Sequence, residues 1–290
     1  MIAASMLAGC SEGVLDPHGP VGTAEKTILL NSLGIMLVIV IPTILATLGV
    51  AFWYRASNTK ARYLPDWEYS GRIELIVWSI PAMVVLLLGG IAWVGSHDLD
   101  PPKPLASPVK PIHVEVISLD WKWLFIYPDQ GIASVNRLVV PTGTPVSFRL
   151  TSATVMNSFF VPQLGTQIYT MSGMTTRLNL LADRPGRYQG LSAQFSGDGF
   201  SGMRFTYDAV SQARFDSWVS AARGQGPSLN PAGYAALARQ SENVAPFTYR
   251  AVTAGLFDTV VQKQAPLPGR PAQAATGAVV SSRSNASQGS

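Results

Sequence analysis

The sequence predicts two transmembrane helices, followed by a β-sandwich or barrel that carries helices at its carboxyl end. Residues 27–54 and 75–96 are apolar stretches without a charged side chain, which is typical of membrane helices. From Ile112 onward, apolar residues alternate with polar ones in short runs between Gly and Pro, and this indicates β-strands. After Val210 the apolar residues recur with the period of a helix.

The composition excludes several classes of function. Charged residues make up 13% of the 290-residue chain and hydrophobic residues 47%, which favours a membrane protein with a substantial water-exposed part. The net charge of +4 is modest, and the basic residues do not cluster with aromatic ones, so we do not expect nucleic acid binding. A single cysteine excludes a disulfide or a thiolate metal cluster within one chain.

The amino terminus carries a lipidation signal. Leu7-Ala8-Gly9-Cys10 matches a bacterial lipobox, so residues 1–9 are predicted to be a lipoprotein signal and Cys10 to be acylated. The signal has no basic side chain and only a short apolar part, which indicates a truncated signal whose true start lies upstream. Residues 10–26 are polar and rich in Pro and Gly, and are predicted to form an irregular periplasmic tether with His18 in solvent.

Two signals predict the same topology. At 1.5 Å per residue, a helix over 27–54 is about 42 Å long, which exceeds the ~30 Å hydrocarbon core. The loop 55–72 contains Arg55, Lys60, Arg62 and Arg72, and basic loops remain in the cytoplasm. With a second helix over 73–96, both termini are then periplasmic, as a lipidated Cys10 requires.

The rest of the chain divides by composition. Residues 97–111 contain five prolines and are predicted to be a stiff linker. Residues 112–210 form the predicted β-domain, and 211–262 a helical extension. The remainder, 263–290, is rich in Ala, Gly and Ser and is predicted to be a flexible tail.

Residues 155–207 resemble the copper-binding core of subunit II of the haem–copper respiratory oxidases. In the cytochrome c oxidases of that family, copper ligands are a His before an aromatic-x-Val-Pro turn and the loop Cys-x-Glu-x-Cys-x3-His-x2-Met. Here Asn157 stands at the first His position, ahead of Phe159-Phe160-Val161-Pro162. The loop positions, in the same order, are Ser192, Gln194, Ser196, Phe200 and Met203.

These substitutions decide which branch of the family the chain resembles. A dinuclear copper centre needs bridging thiolates and imidazoles, whereas serine hydroxyls are weak, neutral donors and phenylalanine has no lone pair. The sequence is therefore similar to subunit II of the cytochrome bo3-type ubiquinol oxidases. That resemblance implies a cupredoxin-like fold without a cofactor of its own, and a partner subunit I that holds haems and copper. It further implies proton pumping, ubiquinol as substrate, additional small membrane subunits, and a location in the bacterial inner membrane.

The resemblance also extends to two other segments. Glu74, in Ile73-Glu74-Leu75-Ile76-Val77-Trp78, fits the context of a carboxylate near the entrance of a proton-uptake pathway. An interfacial Glu that pairs with Arg72 or a lipid head group is an equally good interpretation. The aromatic segment 120–128 matches a Trp-x-Trp region that serves electron transfer in copper-bearing relatives, and we expect it here to pack against subunit I.

Two other classes of protein remain as alternatives. The first is a copper-bearing cytochrome c oxidase subunit, which the replaced ligand positions disfavour. The second is a separate lipoprotein of cupredoxin fold that acts in binding or assembly, for which two membrane helices are more than an anchor requires. A hydrolase is excluded, because Ser192 and Ser196 have no His near them in the sequence. We predict no catalytic residue in this chain.

Overall fold

The computed structural model describes residues 13–62, 64–66 and 68–265. Cys10 and most of the predicted tail lie outside these residues. Helix α1 spans Pro20–Trp53 and helix α2 spans Gly71–Asp98, and both are long and apolar enough to cross a bilayer. Residues 20–26, which were predicted to belong to the irregular tether, are therefore helical, and the prediction is wrong for them. Pro20 suits the first helical position because a proline there loses no hydrogen bond.

The end of the segment before α1, at His18, lies against the β-domain. The backbone N–H of His18 donates to the carbonyl of Gln163 at 2.7 Å, and the N–H of Asp183 donates to the carbonyl of His18 at 2.9 Å. The N–H of Gly22 in α1 donates to the carbonyl of Leu164 at 3.1 Å. The prediction of a solvated His18 is thus wrong. These contacts fix the domain directly onto the amino-terminal end of α1.

Ten strands form the β-domain, which begins at Ile112 and ends at Val210. Their bounds are β1 Ile112–Leu119, β2 Lys122–Tyr127, β3 Ile132–Val135, β4 Arg137–Pro141, β5 Val146–Ser152, β6 Asn157–Phe160, β7 Ile168–Thr170, β8 Thr176–Leu180, β9 Gly186–Ser192 and β10 Arg204–Val210. One sheet contains β3, β2, β1, β5 and β8 in that order, and the other contains β4, β10, β9, β6 and β7. Strands β1 and β5 are parallel, as are β4 and β10, whereas the other neighbours are antiparallel.

Apolar side chains from the two sheets fill the space between them. Trp123 and Phe125 of one sheet contact Phe159 and Phe205 of the other, with ring centroids 5.2 to 6.4 Å apart. Edge-to-face aromatic pairs add about 0.5–1.5 kcal/mol each beyond the area they bury. Two packed sheets of this kind, which follow two apolar helices in the sequence, confirm the predicted cupredoxin-like fold class.

The carboxyl-terminal extension packs against the β-domain, and its part after α3 covers the outer face of the first sheet. It contains α3 Gln212–Gly224, β11 Ser228–Leu229, α4 Pro231–Leu237, β12 Phe247–Tyr249, β13 Ala251–Val252 and α5 Leu256–Val261. The predicted helices are present, and the extension also contains short strands that were not predicted, of which β12 pairs with β3 and becomes the edge of that sheet. Tyr234, Leu237 and Phe257 pack on Ile117, Leu124 and Ile126.

This cover explains the aromatic segment 120–128. Every residue of β2 is buried, because odd-numbered side chains enter the core between the sheets and even-numbered ones meet the extension. Trp123, Phe125 and Tyr127 have no exposed surface. The expectation that this segment packs against another subunit is wrong for these three rings, since the domain itself covers them.

Candidate functional site

The fold brings four of the six ligand positions together at one end of the second sheet, namely three replaced positions and the retained Met203. Asn157 begins β6 and Ser192 ends β9, two strands that pair in antiparallel fashion. Ser196 lies in the loop that follows, and Met203 comes directly after a 3-10 turn at Asp198–Gly202. We call Asn157, Ser192, Ser196 and Met203 the ligand-position cluster.

Hydrogen bonds join the members of this cluster. The hydroxyl of Ser192 lies 3.1 Å from the side-chain carbonyl of Asn157, and Asn157 donates its amide to the carbonyl of Val155 at 3.2 Å. The N–H of Ser192 donates to the carbonyl of Met203 at 3.1 Å. Asn157, Ser192 and Met203 are all buried. A buried polar group without a partner costs roughly 1–3 kcal/mol, so these bonds contribute to the stability of the loop.

The other positions contribute less. The hydroxyl of Ser196 lies 3.9 Å from the sulfur of Met203, which is a weak contact. Gln194 offers its backbone carbonyl to Ser192 at 3.2 Å. The ring of Phe200 lies 5.6 Å from that of Phe195, which is 71% exposed. The structure therefore does not bring the side chains of Gln194 and Phe200 into the hydrogen-bonded cluster.

The donors in this cluster do not suit copper. A carboxamide, two hydroxyls and one thioether provide neither a thiolate nor an imidazole, and the mixed-valence pair requires both. Within the described residues, no three His, Cys, Asp or Glu side chains come together in a group that suits a metal ion. His113, on the polar side of β1, instead lies 3.2 Å from the carboxylate of Asp129.

Trp121 supports the loop, and the sequence prediction missed this role. It occupies the two-residue turn between β1 and β2 with a φ of 64°, a conformation that is costly for a bulky residue. Its indole N–H donates to the carbonyl of Ser196 at 3.1 Å. A Cβ on Gly199 would lie 2.5 Å from the indole, so only glycine fits there. The glycines at 197 and 199 are the signal that could have revealed this contact.

Lys122 is a second residue that the prediction missed. Its side chain is buried, and the ammonium donates to the carbonyl of Arg239 at 2.7 Å and to the hydroxyl of Ser241 at 2.6 Å. Burial lowers the pKa of Lys122 below its usual value, and the nearby carboxylate of Asp120 opposes this shift. The lysine thus ties β2 to the end of α4 by hydrogen bonds to neutral oxygens.

Glu74 lies in the first turn of α2. Its carboxylate accepts a hydrogen bond from the indole N–H of Trp78, one turn further along, at 3.0 Å. Both side chains are exposed in the isolated chain. In the part of the chain that the structure describes, Glu74 forms no ion pair with Arg72, although that pairing was one of the two interpretations from the sequence.

Comparisons with known proteins agree with this geometry. The family model for the periplasmic domain of cytochrome c oxidase subunit II matches residues 130–210, and the model for the COX aromatic-rich motif matches 223–266. Two apolar helices before such a domain define the class of oxidase subunit II proteins.

Individual relatives specify the class further. Cytochrome bo(3) ubiquinol oxidase subunit 2 of Pseudomonas aeruginosa is 48% identical over 260 residues, covering 90% of this chain and 78% of that protein. Ubiquinol oxidase subunit 2 of Acetobacter aceti is 51% identical over 264 residues, covering 90% and 85%. Quinol oxidase subunit 2 of Bacillus cereus is 38% identical over 232 residues, covering 79% of each chain. The chain belongs to the ubiquinol oxidase subunit 2 family.

Proposed function

We propose that this chain is subunit 2 of a proton-pumping ubiquinol oxidase of the aerobic respiratory chain, which transfers electrons from ubiquinol to oxygen. The observation that carries this proposal is that Asn157, Ser192 and Ser196 stand at positions of soft copper ligands, in a chain 48% and 51% identical to two ubiquinol oxidase subunit 2 proteins. Two positions that hold metal ligands in copper-bearing relatives are here satisfied by each other. A site whose polar groups are already paired, and whose donors are hard and neutral, does not accept electrons from a soluble haem protein.

Electrons therefore bypass this domain. Haems and copper in subunit I receive them from membrane-dissolved ubiquinol and pass them to oxygen. Protons for water formation come from the cytoplasm. This chain has no redox cofactor and no catalytic residue of its own. Its contribution is to hold the outer face of the complex together with its other membrane subunits, through a rigid domain fixed to α1 by the contacts of His18 and Gly22.

The proposed topology places the domain in the periplasm of a bacterial inner membrane. Helices α1 and α2 cross the bilayer, with the basic loop between them in the cytoplasm and both termini outside. Cys10, which lies outside the described residues, carries lipid in this proposal and provides a third attachment to the same leaflet.

Glu74 is proposed to serve proton uptake at the cytoplasmic end of α2. A carboxylate in the first turn of a membrane helix is costly if it faces lipid, and it is stabilised where it meets water or protein. The hydrogen bond from Trp78 holds the carboxylate against its own helix, so that its second oxygen is free for water or for subunit I.

Purification of the tagged full-length chain in a mild detergent tests the main proposal. We expect haem and a large polytopic subunit to accompany it, with rapid oxygen consumption on ubiquinol and none above background on reduced cytochrome c. The near-infrared spectrum of the complex should lack the band of a dinuclear copper centre. Purification of the chain alone, or copper bound to its outer domain, would overturn the proposal.

A further inference from the structure

A polar pocket of about 680 Å³ lies between the segment before α1 and the outer face of the second sheet. We call it the arginine pocket. Its chemically distinctive lining residues are His18, Gln163, Arg184, Arg187, Gln189 and Arg204. Three arginines therefore line one concave surface, and the proposed function assigns no role to any of them.

The arginine pocket is positively charged. Asp16 is the one carboxylate among its described lining residues, and it lies 3.1 Å from the Nε2 of His18. The Nδ1 of His18 is buried and has no hydrogen-bond partner within the described chain, while its ring packs 5.5 Å from that of Tyr188. The excess of positive charge over the single carboxylate of Asp16 favours an anionic ligand with several acceptor oxygens.

Two of the three guanidinium groups are not neutralised by the protein. Arg187 is held by Asp208, whose carboxylate is 6% exposed and also binds Arg137 at 2.7 Å. By contrast, Arg184 and Arg204 form no ion pair within the described residues, and Arg204 donates only to the carbonyl of Ser201 at 3.4 Å. The arginine pocket thus combines one fixed guanidinium with two that remain available to a ligand.

The position of the arginine pocket along α1 identifies the source of the anion. Gln163 lines the pocket, and the adjacent Leu164 accepts a hydrogen bond from Gly22 of α1. Gly22 precedes the charge-free run at Thr27 by about 7.5 Å of helix rise. In the proposed topology the arginine pocket therefore lies beside the end of α1 that leaves the bilayer on the periplasmic side, where the anionic groups nearest to α1 are the lipid headgroups of that leaflet.

We propose that the arginine pocket binds the phosphate of an anionic phospholipid in the periplasmic leaflet. Guanidinium groups suit phosphate because their paired N–H donors match its oxygens. A lipid bound there would tie the β-domain to the bilayer surface beside α1. The proposal depends on α1 crossing the bilayer and is independent of which electron donor the oxidase uses.

A binding experiment on the full-length protein in an uncharged detergent tests this. Dihexanoyl phosphatidylglycerol is titrated and binding is followed by calorimetry, with dihexanoyl phosphatidylcholine and inorganic phosphate as separate arms. We expect saturable binding of one phosphatidylglycerol per chain. Binding in the other two arms should be at least about tenfold weaker, because each basic residue near an anionic headgroup contributes about 1 kcal/mol to the binding free energy. Inorganic phosphate that binds as tightly as the lipid would overturn the lipid assignment.

Paired variants provide the second half of the test. Arg184→Gln with Arg204→Gln should weaken phosphatidylglycerol binding on the order of 30-fold, since two headgroup contacts are lost. The matched control, Arg177→Gln with Arg214→Gln, removes the same charge from exposed sites outside the pocket and should bind as the unaltered chain does. The single change Arg184→Glu should also weaken binding, without touching the Arg187–Asp208 pair. Unchanged affinity in both pocket variants would overturn the proposal.

Discussion

The hydroxyl of Ser192 and the side-chain carbonyl of Asn157 lie 3.1 Å apart and join β9 to β6 at two former metal-ligand positions. Both residues are buried, with exposed fractions of 3% and 1%. A metal centre in a relative would connect the same strands through coordination bonds. Here a neutral hydrogen bond makes the connection, so the loop after β9 depends on polar pairing and on Trp121.

Ser192→Ala should lower the free energy of unfolding by about 1–3 kcal/mol, because it leaves the buried carbonyl of Asn157 without a donor. Urea unfolding of the full chain in detergent, followed by tryptophan fluorescence, measures this. Ser196→Ala is the matched control: its hydroxyl contacts only a thioether at 3.9 Å, and we expect a loss below about 0.5 kcal/mol. Equal losses in the two variants would contradict a special role for the Ser192–Asn157 pair.

Gly199→Ala should destabilise the loop by about 1–3 kcal/mol, since the added methyl group would lie 2.5 Å from the indole of Trp121. Amide hydrogen exchange over residues 193–203 should rise in this variant. Gly224→Ala at the end of α3 is its control, because open space surrounds that position, and it should be neutral or stabilising by up to about 1 kcal/mol. Unchanged exchange in Gly199→Ala would contradict this prediction, because it would show that the indole of Trp121 moves away from the added methyl group without loss of stability.

Lys122 should make stability rise with pH. The unfolded lysine keeps its proton up to about pH 10.4, whereas the pKa of the buried lysine is lowered. Between these two pKa values the unfolded chain binds more protons, so the free energy of unfolding increases as pH rises. Measurement from pH 7.5 to 9.5 stays below about pH 10, where tyrosines ionise in the unfolded chain while burial raises the pKa of Tyr127, Tyr207 and Tyr234 in the folded one.

Lys122→Met should remove this contribution to the pH slope, and it should also loosen α4 by leaving the carbonyl of Arg239 without its donor. We expect a loss of about 1–3 kcal/mol near neutral pH. Lys110→Met, which removes an exposed lysine of the linker, serves as the control. Identical pH slopes for the unaltered chain and Lys122→Met would rule out the lysine as their source.

Glu74→Gln should leave assembly intact and slow oxygen consumption on the order of tenfold, equivalent to about 1.4 kcal/mol in the barrier. Glutamine can still accept the hydrogen bond from Trp78, so the change removes a titratable proton carrier and little else. Trp78→Phe is the control, because it removes the indole donor and keeps the carboxylate. If Glu74→Gln consumes oxygen and pumps protons at the normal rate, the proton-uptake role is lost.

Cys10→Ser should abolish incorporation of radioactive palmitate into the chain. The protein should nevertheless stay in the membrane fraction after a high-pH wash, because α1 and α2 each bury enough apolar surface to hold it there. Labelling that persists in the variant would show that another residue carries the lipid.

Local sequence patterns predicted the elements that are defined by one apolar run or by the alternation of apolar and polar residues along one strand. Charge-free stretches predicted both membrane helices, and period-two alternation predicted strands such as β1 and β5. The start of α1 at Pro20 was missed because Gly and Pro in that segment indicate irregular structure, while contacts of His18 and Gly22 with the domain stabilise a helix there. Propensity is weak where tertiary contacts compete with it.

The sequence by itself determined that the ligand positions hold an amide, hydroxyls and a phenyl ring, because the identity of a donor atom is a property of the residue alone. It also determined the two membrane helices, since a long apolar run has few other stable locations. Only the tertiary structure decided that Ser192 pairs with Asn157, that Lys122 reaches Arg239, and that three arginines share one pocket. Such contacts join residues far apart in the chain, and no local period records them.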